Sequence, residues 1–259
     1  MRIIYINRRK MLQLFIVFVL VVMSIAYSKG LAPHFISVFT NNEREIPIYS
    51  VEVPDKKVAI SFDATWGHQY TRQLLDILDQ RNIKTTFFLA GLWVDEYQDD
   101  VRLIHQRGHE IGNHSNTHPH MSTLSDSQIR EELNIATQKI KAITGKDVIL
   151  FRPPFGDYNN RLIRVCRDEG YYVIQWDVDS LDWKELGVQP MVDRVKKKVK
   201  EGSIILFHNN AKYTPQALPI ILDYLLDEGY EIVPVSQLIY KENFYVDHEG
   251  RQRPLTLVE

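Results

Sequence analysis

The sequence predicts an α/β protein, a distorted or incomplete (β/α) barrel of about seven β/α units preceded by an N-terminal membrane segment. Apolar strand-like runs alternate with amphipathic helical patterns from Lys57 onward, and short connections between them favour the barrel. An apolar stretch behind basic residues at the N-terminus favours the membrane segment. A doubly wound open sheet is the alternative arrangement of the same units.

The first element along the chain is the apolar stretch from Met11 to Tyr27, which only Gln13 and Ser24 interrupt. At ~1.5 Å per residue it is just long enough for a hydrocarbon core of ~30 Å. It is either an export signal cleaved after Ala26 or an uncleaved signal anchor, and a buried core helix is the remaining alternative. We therefore expect residues 1–28 to form this segment and the rest of the chain to be exported.

The remaining chain divides into a stalk, a domain and a tail. Residues 29–56 contain the pieces HFISVF and IPIYSVEV and are predicted to form a stalk and an edge ribbon. The strand-like runs of the domain, residues 57–240, are KVAISF, KTTFFLA, HEIGNH, DVILFRP, YYVIQWDV, GSIILFH and YEIVPV. Several of the helical patterns between them end in glycine, which fits left-handed C-caps before the next strand. Residues 241–259 are predicted to be a polar, partly extended surface tail.

Composition excludes two classes of function. The net charge is −2 and the basic residues are scattered, so we expect no nucleic-acid binding. The single cysteine, Cys166, lies in an amphipathic helical pattern and forms no intramolecular disulfide. We predict a packed core thiol there and no redox chemistry.

Polar residues follow the predicted strands at the end where a (β/α) barrel has its active site. The first strand ends in Asp63, the third in NHSNTHPH, the fourth in FRPPFG, the fifth in WDVDSLDW and the sixth in LFHNN. His114 and His118 are four residues apart, a spacing that can place both imidazoles on one divalent metal. Each residue alone has an ordinary explanation, such as a helix cap, an ion pair or a buried histidine. Their convergence at one barrel mouth predicts an active site.

In their order along the chain and in their amino-acid sequence, these segments resemble the motifs of the polysaccharide deacetylases with a NodB-type domain, carbohydrate esterase family 4. The resemblance extends from about Lys57 to about Leu238. Its five motifs are Phe62-Asp63-Ala64, His114-Ser115-Asn116-Thr117-His118-Pro119, Arg152-Pro153-Pro154-Phe155-Gly156, Asp179-Ser180-Leu181-Asp182-Trp183 and Leu206-Phe207-His208. The stretch ISFDATWG, together with the N-terminal segment, is most similar to the PdaB-like sporulation polysaccharide deacetylases. The resemblance implies a NodB-type barrel.

The resemblance also implies catalytic roles. Asp63 would be the general base that activates a water, held by a charge-assisted hydrogen bond from Arg152. His208 would be the general acid that protonates the leaving amine. Asp182 would pair with His208 and raise its pKa.

For the metal, the resemblance implies His114 and His118 as ligands of a divalent cation, zinc or else cobalt or manganese. The family pattern has a metal-binding carboxylate directly after the base aspartate, and this chain has Ala64. Three outcomes remain open: a weakly bound metal with activity, a replacement ligand such as Asp63, His68 or Asp179, or no metal and no catalysis.

The substrate would lie on the apolar faces of Trp183, Phe155 and Trp66, and the backbone N–H of Phe155 or a neighbour would stabilise the oxyanion. The expected function is metal-dependent deacetylation of N-acetylated amino sugars in a cell-wall glycan, peptidoglycan made during sporulation. The expected partners are this glycan and, through the N-terminal segment, the membrane, with the domain outside the cytoplasm. One alternative is a non-catalytic glycan-binding or scaffold protein without metal, and another is an esterase acting on O-acetyl groups of xylan or chitin-like polymers.

Overall fold

The computed structural model describes residues 8–28 and 44–255, and the chain divides into two units, Met1–Arg44 and Glu45–Glu259. In the first unit, helix α1 is Arg8–Ser28. Within the two described ranges no helix combines the length and hydropathy that crossing a bilayer requires, so the predicted membrane segment is not confirmed. Most of the predicted stalk, residues 29–43, and the last four residues of the tail lie outside the described residues.

The second unit is built on a parallel sheet that curls into a half-barrel. Its strands are β1 (Ser50–Val51), β2 (Lys57–Ala64), β3 (Thr86–Leu89), β4 (Glu110–Asn113), β5 (Leu150–Phe151), β6 (Tyr172–Val173), β7 (Val178–Asp179), β8 (Ile204–His208), β9 (Glu231–Ile232), β10 (Phe244–Val246) and β11 (Arg251–Pro254). Seven of them follow the order β6-β5-β4-β3-β2-β8-β7, and β9 pairs with the start of β2. Every pairing in this sheet is parallel, which confirms the predicted α/β architecture.

The predicted fifth strand, YYVIQWDV, is not one strand. It supplies both edges of the sheet, β6 and β7, with only Ile174–Asp177 between them. A strand that crosses from one sheet edge to the other cannot keep hydrogen bonds to a single neighbour, and this is why the single-strand prediction is wrong. The predicted edge ribbon fills the gap: Ile48 N–H donates to Val173 O at 2.9 Å, and Gln175 N–H donates to Ile48 O at 2.7 Å.

Helices pack against the sheet, and all of them except the last, Val235–Leu238, cover its outer face; the buried side chains of that last helix lie in the core inside the curled sheet. The helices are α2 (Thr71–Asp79), α3 (Gly91–Glu96), α4 (Gln98–Gln106), α5 (Asp126–Thr144), α6 (Asn160–Asp168), α7 (Val188–Lys198), α8 (Thr214–Asp227) and α9 (Val235–Leu238). Helix α5 shows how the local sequence sets the ends: Ser125 and Gln128 form a capping box, and Gly145 ends the helix at φ 69°. Cys166 of α6 is free and buried, as predicted.

Side chains of β2 alternate between two apolar cores, as the period of a strand requires. Phe62 and Ala64 pack in the core between the sheet and the helices, whereas Ala59 packs in the core inside the curled sheet. Asp63 lies between Phe62 and Ala64 and therefore shares the inner face. Alternation thus directs the aspartate and the following alanine to opposite sides of the sheet.

The C-terminal tail is more ordered than its polar sequence indicates. Strands β10 and β11 pair antiparallel, and β11 pairs parallel with β1. This small sheet connects the tail to the ribbon that precedes β2, so the residues predicted as separate segments belong to one compact unit.

Candidate active site

The first component of the site is a buried ion pair at the end of β2. Arg152 follows β5, is fully buried, and donates from Nη1 to Asp63 Oδ1 at 2.7 Å. Its guanidinium lies 4.1 Å from the centroid of the Phe88 ring. Burial alone would raise the pKa of Asp63, but the charge of Arg152, with smaller contributions from His114 and His208, holds that pKa below its usual value. Asp63 is therefore a carboxylate at neutral pH.

The second component lies at the end of β8. His208 Nδ1 is 2.7 Å from Asp182 Oδ1, and the backbone N–H of His208 donates to Asp182 Oδ2 at 2.7 Å. Burial lowers the pKa of His208, but the hydrogen bond and charge of Asp182 outweigh it, so the pKa lies above its ordinary value. Because Nδ1 is engaged, Nε2 is the ring nitrogen left to donate a proton into the site.

The two histidines of the HSNTH segment form the third component. His114 Nδ1 lies 2.8 Å from the carbonyl of Arg152; a carbonyl only accepts, so Nδ1 carries the proton and Nε2 keeps its lone pair. That Nε2 is 3.6 Å from Asp63 Oδ2, and the rings of His114 and His118 are 4.9 Å apart. Burial lowers the pKa of both histidines, that of His118 to about 3. Both are therefore neutral at pH 7, which is the form that binds metals.

These histidines fit two positions of a metal site, and the third position has no clear occupant. The Nδ1 atom of His118 is buried without a hydrogen-bond partner, as expected of an atom that awaits a ligand. Nevertheless, residues 8–28 and 44–255 contain no group of three or more His, Cys, Asp or Glu side chains that could hold a metal ion. Catalytic zinc usually has three protein ligands. The donor set is therefore incomplete for such a metal.

The suggested replacement ligands differ in position. His68 does not line the pocket, because its Nδ1 is 2.7 Å from the buried Asp100 Oδ2 and its ring stacks on Tyr97. Asp179 lines the pocket, and its Oδ1 accepts a hydrogen bond from the backbone N–H of Leu181 at 2.8 Å. The structure thus removes His68 from the candidates.

All three components open into one pocket of about 600 Å³. Eight of the nine predicted site residues line it, and the ninth, Arg152, lies behind it on Asp63. The predicted sugar-binding rings are exposed at the mouth: Trp66 by 59%, Phe155 by 56% and Trp183 by 54%. His118 contacts Trp66 and Phe155 edge-on, with centroid distances of 4.9 and 4.5 Å. The pocket therefore joins an aromatic rim to a polar floor.

Strained backbone is concentrated around this pocket. In the described part of the chain, seven non-glycine residues have positive φ, and five belong to the loops that form the site. These five are Ser115, His118, Phe155, Leu181 and Glu185, with φ between 52° and 66°. Such conformations cost energy and persist where the surrounding structure holds them, which is typical of functional sites.

Three supporting residues were missed by the sequence reasoning. The Thr214 hydroxyl donates to Asp182 Oδ2 at 2.9 Å. Gln175 Nε2 donates to Gly156 O at 3.1 Å, and Asn209 Nδ2 donates to Gly67 O at 3.0 Å. All three residues are buried, and each joins segments distant in sequence. Gln175 interrupts the apolar run YYVIQWDV, whereas Asn209 and Thr214 lie in the polar stretch HNNAKYTPQ, and neither context identifies a hydrogen-bond partner.

Comparison with known proteins shows the family to which the chain belongs. A family model described as polysaccharide deacetylase matches residues 50–174. The peptidoglycan-N-acetylglucosamine deacetylase of Bacillus cereus is 36% identical over 195 residues, which cover 73% of this chain and 91% of that protein. The uncharacterized protein YlxY of Bacillus subtilis is 32% identical over 193 residues, and the match covers 74% of this chain and 60% of YlxY.

Among solved structures, wild-type BA3943 from Bacillus anthracis, described as a CE4 family pseudoenzyme, has a TM-score of 0.73 at 34% identity and covers 75% of this chain and 69% of that chain. A BA3943 mutant described as having restored enzymatic activity has the same TM-score at 35% identity, covering 75% and 71%. An active variant and a pseudoenzyme are thus equally similar to this chain in fold. The residues of the site therefore decide whether a protein of this fold is catalytic. The chain belongs to the polysaccharide deacetylase family, carbohydrate esterase family 4, whose deacetylases hydrolyse amide bonds of N-acetylated sugars.

Proposed function

We propose that this protein deacetylates N-acetylated amino sugars of peptidoglycan. One observation carries the proposal: a carboxylate and an imidazole face the same pocket, each held by its own buried partner, with pKa values shifted in opposite directions. Amide hydrolysis needs both a base for the attacking water and an acid for the leaving amine. Asp63 and His208 supply these two groups.

The proposed base is Asp63. Its Oδ1 is fixed by Arg152, which leaves Oδ2 to accept a proton from water. Because the buried Arg152 holds Oδ1 at 2.7 Å, the carboxylate keeps its orientation as the proton arrives. The same ion pair keeps the group ionised before the reaction.

The proposed acid is His208. Its Nε2 donates to the nitrogen of the leaving amine while Asp182 stabilises the imidazolium through Nδ1. We propose the backbone N–H of Phe155, in the strained turn at φ 60°, as the donor to the oxyanion. The exposed faces of Trp66, Phe155 and Trp183 would hold the sugar.

We propose that His114 and His118 hold a divalent cation, zinc or else cobalt or manganese. Support comes from the neutral state of both imidazoles and the unpartnered Nδ1 of His118. When bound, such a cation would polarise the acetyl carbonyl and lower the pKa of a water. Because the described residues offer no third His, Cys, Asp or Glu ligand beside these two imidazoles, we expect weak affinity. Isothermal titration with zinc would detect it, and loss of the heat in a His114→Gln/His118→Gln variant would assign it; no heat in the wild type at millimolar zinc contradicts it.

We further propose that the domain acts outside the cytoplasm, where peptidoglycan lies, with the apolar N-terminal residues serving in export. We keep the predicted division of the chain in this proposal: residues 1–28 are the N-terminal export segment, 29–56 the stalk and edge ribbon, 57–240 the deacetylase domain and 241–259 the tail. The similarity of ISFDATWG to the PdaB-like branch supports a role in sporulation. Detection of the protein in the extracytoplasmic fraction of sporulating cells, and its absence from the cytoplasmic fraction, would test location and timing together.

Acetate release tests the catalytic proposal. The purified protein is incubated with N-acetylated peptidoglycan fragments and chitin oligomers, with zinc, cobalt or manganese added or chelated. Asp63→Asn is expected to lower kcat by ~10²–10⁴, the contribution of a general base. Asp99→Asn makes the same chemical change at an exposed pair with Arg102 and is expected to leave kcat unchanged. Release that is equal in the wild type and Asp63→Asn contradicts the assignment.

The second candidate is a non-catalytic glycan-binding protein. It is favoured by the apolar, fully buried Ala64 and by the lack of a three-residue metal group among the described residues. It predicts binding of chitin oligomers that weakens in Trp183→Ala, with no acetate released under any metal condition. Metal-dependent release lost in Asp63→Asn excludes it.

A further inference from the structure

We infer that Thr214 is a positioning residue for the proposed general acid: its hydroxyl fixes the Asp182 carboxylate that holds His208. The catalytic consequence rests on the proposed function, whereas the positioning itself can be measured without catalysis. Thr214 lies six residues after His208 and outside the five motifs that identify the family.

The geometry shows three donors on one buried carboxylate. Asp182 is completely buried; its Oδ1 faces His208 Nδ1 at 2.7 Å, and its Oδ2 accepts from the backbone N–H of His208 at 2.7 Å and from the Thr214 hydroxyl at 2.9 Å. The last torsion of an aspartate side chain is broad and roughly two-fold. Hydrogen bonds must therefore set the carboxylate plane. In the described part of the chain, Thr214 supplies the side-chain donor to Oδ2.

The position of Thr214 in the fold explains why its hydroxyl is available. Thr214 is the first residue of α8, and the N-cap of that helix is Tyr213, which makes no side-chain cap. Thr214 is fully buried, so its hydroxyl needs a protein partner. The loop after β8 turns back through an Ala211 O to Thr214 N–H bond of 3.2 Å, which brings the hydroxyl to the partner of His208. The Asp182 carboxylate thereby connects His208, the proposed acid, to the first residue of α8.

Two roles of this hydroxyl predict different results. If the hydroxyl bonds Asp182 only because a buried hydroxyl needs a partner, replacing Thr214 by the isosteric valine leaves the titration midpoint of the His208 imidazole unchanged. If the hydroxyl orients Asp182, valine leaves Oδ2 with the backbone N–H of His208 as its remaining donor, lets the carboxylate plane turn, and weakens the bond between Oδ1 and His208 Nδ1. The charged and titratable groups coupled electrostatically to His208 are Asp182, Asp179, Asp63, His114 and His118. The valine variant alters only the first of these directly, so a change in the imidazole reports on Asp182.

The experiment compares the full-length wild type with Thr214→Val, Thr214→Ser and Thr214→Ala. Histidine NMR gives the titration midpoint of His208, and acetate release gives kcat and KM. We expect Thr214→Val and Thr214→Ala to lower the His208 midpoint by roughly one pH unit and kcat by about tenfold, with KM unchanged. Thr214→Ser keeps the hydroxyl and is expected to behave as the wild type.

Two outcomes overturn the inference. One is a His208 midpoint that stays at the wild-type value in both hydroxyl-free variants. The other is an equal shift in Thr214→Ser, which would assign the effect to the lost methyl group. If the wild type itself releases no acetate but the midpoint shifts as expected, the positioning role stands and the proposed function fails. Thr214→Ala serves where Thr214→Val does not fold.

Discussion

Replacing Arg152 by methionine is expected to reduce the free energy of unfolding by about 3–5 kcal/mol at neutral pH, the cost of breaking a buried ion pair. Both charges are out of water: Arg152 is 0% and Asp63 6% exposed, and their atoms are 2.7 Å apart. Methionine is close in length and can pack over the Phe88 ring that the guanidinium now covers at 4.1 Å. Most of the loss therefore comes from the unpaired carboxylate.

The dependence on pH identifies that cause. In the wild type the pKa of Asp63 is lowered, so the ion pair contributes its full stability above the ordinary pKa of 3.8 and loses it as pH falls. In Arg152→Met, burial acts without the arginine and raises the pKa of Asp63. The folded variant then binds a proton more readily than the unfolded chain and gains stability as pH decreases. The deficit relative to the wild type should shrink between pH 7 and pH 5.

Urea unfolding at both pH values measures the deficit. Asp63→Asn/Arg152→Met removes both charges and is expected to recover at least half of it. Arg81→Met is the matched control, because Arg81 pairs with the half-exposed Asp223 at 2.6 Å; its cost should stay below about 1 kcal/mol. A deficit of equal size at pH 5 and pH 7, or a double variant no more stable than Arg152→Met, would refute the reasoning.

Three further predictions concern stability and reactivity. Burial lowers the pKa of His109 from 6.5 to about 4, so acidification from pH 7 to pH 4 should remove about 3 kcal/mol through this group, and His109→Gln should flatten that slope in urea unfolding. A Cβ at Gly202 (φ 80°) would lie 1.6 Å from Val51 O, so Gly202→Ala should cost about 3 kcal/mol or more. Gly229→Ala, at φ 81° in open space, should cost about 1 kcal/mol, and equal melting temperatures for the two variants contradict this account. Burial raises the pKa of the Cys166 thiol, so thiol reagents should label it after unfolding and not before.

The sequence predicted the parts of the site that depend on local pattern. Alternating strands and helices indicated a parallel sheet, and in such a sheet the strand ends meet at one edge. That rule was sufficient to bring Asp63, His114 and His208 together from three strands.

What the sequence alone determined is therefore the order of elements, the family and the residues at the pocket. Tertiary structure decided the rest. It divided YYVIQWDV between two sheet edges and paired β11 with β1. It also paired His68 with Asp100 outside the pocket and joined the Thr214 hydroxyl to Asp182. It also showed that Ala64 faces the outer core rather than the pocket. The physical reason is the same in each case. Periodicity records which face of its own element a residue occupies, whereas hydrogen-bond partners are chosen by segments that meet only after the chain has folded.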